Sequence, residues 1–317
     1  TIGYSVLAYG YTYLDRFDEA ENVLQRAAER KLEIPDFIVQ RYFLAFLKGD
    51  AAGMQRETTL AQGNPRVEDW ISNHQAFVQA YGGHLQEARR MSQRAVQLAE
   101  QEGQRERASL YETGAALREA FFGNTTSAGQ SAKAALKLSK ARDVEYGAAI
   151  ALAISGDLPG SQALTNDLEK RFPQDTSVRF SYLPTLRALL ATKQGEPSKA
   201  IELLQVTVPD ELGAPESSLF GFFGALYPVY MRGAAYLALR RGSEAAAEFQ
   251  KIIDHRGIVV SDPIGVLAQL CLGRAYRVQG DTAKARAAYQ NFLSLWKDAD
   301  PDIPILIQAK TEYAKLQ

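Results

Sequence analysis

One cysteine in 317 residues cannot form a disulfide within the chain, so the fold must be held by packing and hydrogen bonds alone. Histidine is nearly as scarce. His74, His84 and His255 stand far apart, with no His-x3-His, Cys-x2-Cys or Asp-rich loop, and metal ligation has no support in the sequence. An excess of one charge is missing too. With 36 basic and 37 acidic residues the net charge is −1, which provides no global field toward nucleic acid or an anionic membrane. No apolar run reaches the roughly 18 residues of a membrane span. The nearest stretch, Ser218 to Met231, is short and broken by glycine and proline. No secretory leader is visible. Gly-x-Ser-x-Gly and Ser/His/Asp arrangements are absent, and neither enzymatic activity nor a cofactor is expected.

What the chain does have is repetition. Gly233, Tyr236, Ala245 and Phe249 have counterparts 40 residues later at Gly273, Tyr276, Ala285 and Tyr289. The pattern Gly-x2-Tyr…Ala-x3-aromatic resembles that of a tetratricopeptide repeat (TPR), a helix–turn–helix unit of about 34 residues. The glycine and alanine let two helices approach closely, and the aromatic side chains fill the space beside that contact. A glycine inside a helix costs about 1 kcal/mol relative to alanine, so its recurrence implies a packing reason. Cys271, between Leu270 and Leu272, reads as a small buried core residue.

Fainter copies place turns near Asp15, Gly49, Gly83, Gly123, Gly156, Gly195, Arg240 and Gly280. The expected fold is all-α: a right-handed TPR solenoid of about eight repeats over residues 1–301, with a capping helix over 302–317. Asp281 and Asp262 are expected to cap helices, with Pro263 at a first helical position. Gly257 is expected to stop the second helix of repeat seven. Asp302 is the expected cap of the last helix, whose apolar stripe is Ile303, Leu306, Ile307, Ala309 and Tyr313. The chain begins at Thr1 and enters a repeat helix almost at once, so further protein is expected upstream.

In such an array the first helix of each repeat lines a concave face, which is the candidate binding site. Projected onto it are Tyr9, Tyr13, Phe43, Phe46, Trp70, Asn73, Phe77, Tyr81, Tyr227, Tyr230, Arg274 and Arg277. Tyrosine and tryptophan suit such a surface because they combine a large rigid area with a polar tip. A Lys/Asn/Arg clamp for a peptide carboxylate is not found; the corresponding positions carry Ser5, Tyr9, Gln40, Trp70 and His74. His74 reads either as a groove-facing residue or as a polar surface group. A second candidate is the apolar segment with Leu219, Phe220, Phe222 and Phe223, punctuated by Gly221 and Gly224. It reads either as an extended helix or lid over a ligand or second subunit, or as a lengthened helix buried by the next repeat.

Residues 227–317 carry a more specific likeness, most distinctive in "FQKIIDHRGIV" and "LWKDADPDIPIL". They resemble the C-terminal repeat region of bacterial serine/threonine protein kinases, acidobacterial ones especially, and related regions of winged-helix regulators. "DHRG" at 254–257 has the wrong order for a kinase catalytic loop, and no catalytic residue carries over. The resemblance implies a sensor or docking region, extracytoplasmic if a membrane anchor lies upstream and cytoplasmic otherwise. The expected partner is a protein or peptide, with no nucleic acid bound by this region and a homodimer as a further expectation. A small-ligand sensor near Phe220–Tyr230, regulating an upstream kinase or DNA-binding domain, is the competing expectation.

Overall fold

The computed structural model describes residues 1–213 and 220–316. Its helices are α1 (Ile2–Tyr13), α2 (Phe17–Glu29), α3 (Pro35–Lys48), α4 (Ala51–Ala61), α5 (Glu68–Tyr81), α6 (Leu85–Gln101), α7 (Arg105–Phe122), α8 (Thr125–Leu138) and α9 (Arg142–Ser155). They continue with α10 (Leu158–Arg171), α11 (Leu183–Lys193), α12 (Pro197–Leu203), α13 (Tyr227–Ala238), α14 (Gly242–Asp254), α15 (Arg256–Val259), α16 (Pro263–Gln279), α17 (Thr282–Leu295) and α18 (Pro304–Ala314). A π-helical turn over Val178–Tyr182 leads into α11, and a 3-10 turn over Leu204–Thr207 follows α12.

Consecutive helices pack as antiparallel pairs: α1 on α2, and so on to α13 on α14, then α16 on α17. The residue at each of the eight pair turns, from Asp15 to Gly280, has a left-handed φ between 56° and 95°. Such a residue ends one helix and frees the chain to start back along it. Within the pairs the glycine–aromatic contact is direct. A Cβ on Gly233 would lie 2.8 Å from the Phe249 ring, and one on Gly273 would lie 2.9 Å from the Tyr289 ring. Phe249, Tyr289, Ala245 and Ala285 are fully buried there. Asp262 accepts from Ile264 N at 3.0 Å and Asp281 from Lys284 N at 3.0 Å, each satisfying a free N–H at a helix start.

First helices lie inside and second helices outside. In α9 every residue from Asp143 to Ala153 is buried, whereas α10 buries only Ser161, Thr165 and Leu168. The array also bends until its end meets its beginning. α15 packs on α1, α16 on α5 and α7, and α18 on α7. Gly257 N donates to Asp15 Oδ1 at 2.7 Å, and Arg256 Nη2 to the Leu47 carbonyl at 2.8 Å. Trp296 Nε1 donates to the Tyr81 carbonyl at 2.9 Å and Asp300 N to the Gly83 carbonyl at 3.0 Å.

Two local expectations are corrected. Gly257 does not stop a helix: α14 ends at Asp254, and Gly257 lies within α15 because the backbone of α1 leaves no room for a side chain there. The last helix is capped at Ile303 rather than Asp302, since Pro304, with its fixed φ and missing N–H, takes the first helical position. Of its expected stripe, Ile303, Leu306 and Ala309 are buried, Tyr313 packs on the core, and Ile307 is 51% exposed.

A Cβ on Gly257 would stand 1.8 Å from the Thr12 carbonyl oxygen, a backbone atom that cannot rotate away. Gly257→Ala is therefore expected to separate α15 from α1 and destabilise the chain by about 1–3 kcal/mol. Small-angle scattering should show a larger radius of gyration while circular dichroism retains its helical intensity. An unchanged radius and melting temperature would show that this contact does not hold the ends together.

Candidate functional site: the inner face and its strap

Residues 220–226 are neither an extended helix nor a lengthening of α13. They contain no helix, and α13 starts only at Tyr227. Glycines at 221 and 224 and left-handed φ values at Phe222 (51°), Gly224 (99°) and Leu226 (59°) make the segment an irregular strap. It crosses the inner face. Leu219, part of the same expected element, lies outside the described residues.

Four helices, α3, α5, α7 and α9, contact the strap. The Phe220 ring lies 4.7 Å from Trp70 of α5, and the Arg107 guanidinium of α7 sits 4.1 Å over the same ring. Arg107 is held in place by Asp69, Nη1 to Oδ2 at 2.9 Å, and the Tyr111 hydroxyl donates to the same oxygen at 3.0 Å. Phe222 enters an aromatic box, stacked on Phe43 at 4.6 Å with His74 at 4.9 Å and Phe77 at 5.6 Å, both edge-on. Asn73 Nδ2 donates to the Phe220 carbonyl at 3.3 Å. Phe223 turns the other way, against Gly147 of α9.

The structure thus brings together Phe43, Trp70, Asn73 and Phe77 of the sequence candidates and buries all four beneath the strap. Tyr9 lies further along, its hydroxyl donating to Asp36 Oδ1 at 2.9 Å and its ring stacked on Tyr13 at 5.8 Å. Ser5 and Gln40 bond the other oxygen of Asp36, so three of the five clamp positions already hold a carboxylate of the chain itself. Burial, then Asp36, pushes Tyr9 well above its usual range and Tyr13 to about 12. Phe46 and Tyr81 meet edge-on at 5.4 Å and line an apolar cavity of about 460 Å³ with Met54, Val78 and Val260.

The candidates from the C-terminal half do not join the cradle. Tyr227 is fully buried, donating to Asp262 Oδ2 at 3.1 Å. Tyr230 contacts Cys271 Sγ at 3.7 Å. Arg274 forks onto Glu312 at 2.9 and 3.1 Å, tying α16 to α18, and Arg277 is exposed. The sequence reading did not find Arg107 or Arg118. The Arg118 side chain is buried, with its guanidinium 4.4 Å over Phe77. Neither carries a local signal, because the partners come from other helices.

Of the two readings of His74, the surface one is corrected. The residue is wholly buried between Phe43, Trp70 and Phe222, not on the surface. Burial holds its pKa down at about 3, so the ring is neutral. The buried Asp262 is shifted the other way, to about 7. Burial outweighs the opposing pull of the Ile264 N–H, the Tyr227 hydroxyl and Arg118. Among the described residues no group of three or more His, Cys, Asp or Glu could hold a metal, and no helix is long and apolar enough to cross a membrane.

No family model matches the chain, and no curated protein matches it either. Solved structures do. One is an IFIT1 monomeric mutant with Gppp-AAAA, at a TM-score of 0.52 and 17% identity, covering 99% of this chain and 73% of that one. Yeast Tom70 aligns over 95% of this chain at 14% identity and a TM-score of 0.46; the chain spans 59% of its length. The P58(IPK) TPR domain aligns over 99% of this chain and 97% of its own, at 13% identity and a TM-score of 0.30. The IFIT1 likeness bears on the fold and, at that identity, on the fold alone. The chain is an all-helical TPR-type solenoid of about eight helix pairs with a helix closing its C-terminal end.

The two buried groups set opposite pH dependences. A neutral His74 favours the closed fold above its free pKa of 6.5, and that contribution is lost as pH falls from 6.5 toward 3. A protonated Asp262 contributes fully below 3.8, and that contribution is lost as pH rises through about 7. His74→Leu removes only the first effect. Its stability gain over wild type should grow on acidification from about pH 7.5 to 5.5, by up to about 1.4 kcal/mol per pH unit below 6.5. Urea unfolding at several pH values checks this. A gain independent of pH would mean that His74 is not buried and neutral.

Proposed function

We propose that the chain is a non-catalytic docking module of a bacterial signalling protein, binding a peptide or protein segment along its inner face. The observation that carries this reading is the strap. An irregular peptide segment is already held there by a side-chain bond to its backbone carbonyl, two aromatic seats and an arginine stacked on a ring. Tryptophan, tyrosine and arginine are the residues that concentrate binding energy at protein interfaces. The Gppp-AAAA of the IFIT1 structure belongs to that protein; a net charge of −1 here favours a protein or peptide over a polyanion. The signalling context rests on the likeness of residues 227–317 to the kinase-associated repeats.

A second reading, self-association, is favoured by α1 and the residue that follows it, where Ile2, Val6 and Leu14 are 76%, 65% and 68% exposed. One experiment separates the two. A random peptide library displayed against the full chain should enrich binders that are lost in Trp70→Ala and Asn73→Ala chains of unchanged helical content, with affinity falling about tenfold or more. Binders that survive both substitutions would reject the inner face. A sedimentation equilibrium mass above the monomer that returns to it in Val6→Glu would support self-association instead.

A further inference from the structure

The docking reading leaves open what the inner face recognises, and the strap bears on that. Its seat fits imperfectly. Trp70 Nε1, Asn73 Oδ1 and both ring nitrogens of His74 are buried under it with no hydrogen-bond partner among the described residues. Their side chains lie on consecutive turns of one face of α5 and all point at the strap. Buried polar atoms in native proteins are nearly always paired, so four on one short face mark a surface built for a ligand richer in backbone contacts. Asn73 uses only half of its amide: Nδ2 reaches the Phe220 carbonyl and Oδ1 has no hydrogen-bond partner among the described residues. An extended peptide could offer a carbonyl and an N–H to that one side chain.

The strap also adopts a backbone that its residues disfavour. Phe222 and Leu226 are both left-handed, which costs a residue with a Cβ, and such geometry persists only where surroundings impose it. Phe220 and Phe222 are only partly buried, so the strap can be reached from one side. We propose that residues 220–226 are a stand-in ligand, and that the inner face takes a partner segment carrying two aromatic side chains one residue apart, which displaces the strap to bind. This rests on the docking reading above. The partner's first aromatic sits between Trp70 and Arg107, its second in the box of Phe43, His74 and Phe77, and the backbone between them pairs with Asn73. While the strap is seated, the apparent affinity is reduced by the fraction of chains that are closed.

The test uses the full chain and a synthetic peptide with the sequence of residues 219–226. By isothermal titration the peptide should bind a Phe220→Ser/Phe222→Ser chain about tenfold or more tighter than wild type. A peptide with both corresponding phenylalanines replaced by leucine should lose that binding. In wild type, excess peptide should speed amide hydrogen exchange across 220–226, an arm that needs no variant to fold. No binding to a folded variant, or no change in wild-type exchange, overturns the stand-in. Equal binding of the leucine peptide overturns the aromatic pair. If library binders depend on Trp70 while this peptide does not bind, the docking reading survives and the inference fails.

Discussion

The inner face of this array must be covered. Curving the solenoid until α15 meets α1 and α16 meets α5 and α7 brings the first helices around a narrow interior, and the sequence lines part of that interior with Phe43, Trp70 and Phe77. Apolar area of that size is not left in water. The strap at 220–226 covers it, and the stacking on Trp70 and Phe43 follows from that requirement. The cover brings a cost of its own. It buries the His74 ring nitrogens and the indole N–H of Trp70 with no hydrogen-bond partner among the described residues, a configuration expected to cost free energy until something pairs with them.

Closure depends on residues that a plain repeat would not need. The link containing Arg256 and Gly257 lies against α1 and Leu47, while Trp296 and Asp300 reach Tyr81 and Gly83. These residues fall inside "FQKIIDHRGIV" and "LWKDADPDIPIL", the two pieces that stand out most from a generic repeat. Their peculiarity has a physical reason: they are where the end of the array reaches its beginning. The 40-residue spacing between Gly233 and Gly273 exceeds the usual repeat length because α15 is inserted between α14 and α16.

The parts legible in the sequence are those governed by neighbours a few residues away. Gly273 and Tyr289 meet within one helix pair, and Asp281 caps the helix that it precedes. Positions three and four apart share a face of a helix, so Trp70, Asn73 and Phe77 could be placed together on α5 from spacing alone. What covers them could not. Asn73 bonds a carbonyl 147 residues away, and no local pattern encodes that pairing. The density of apolar residues around Phe222 reads as an extended helix or lid, or as a lengthened helix, and the irregular backbone there depends on the helices that it packs against. The burial of His74 is not legible for a similar reason. A histidine on an inner helix face takes its environment from whatever packs over it, and here that is Phe222, from the far half of the chain.

The central claim is that strap and inner face are energetically coupled, and a double-mutant cycle between Phe43 and Phe222 tests it most directly. The rings stack at 4.6 Å, so Phe43→Ala, Phe222→Ala and the double variant should show a coupling of about 1 kcal/mol in unfolding free energy. Strictly additive effects would place the two rings apart in solution, with the inner face open.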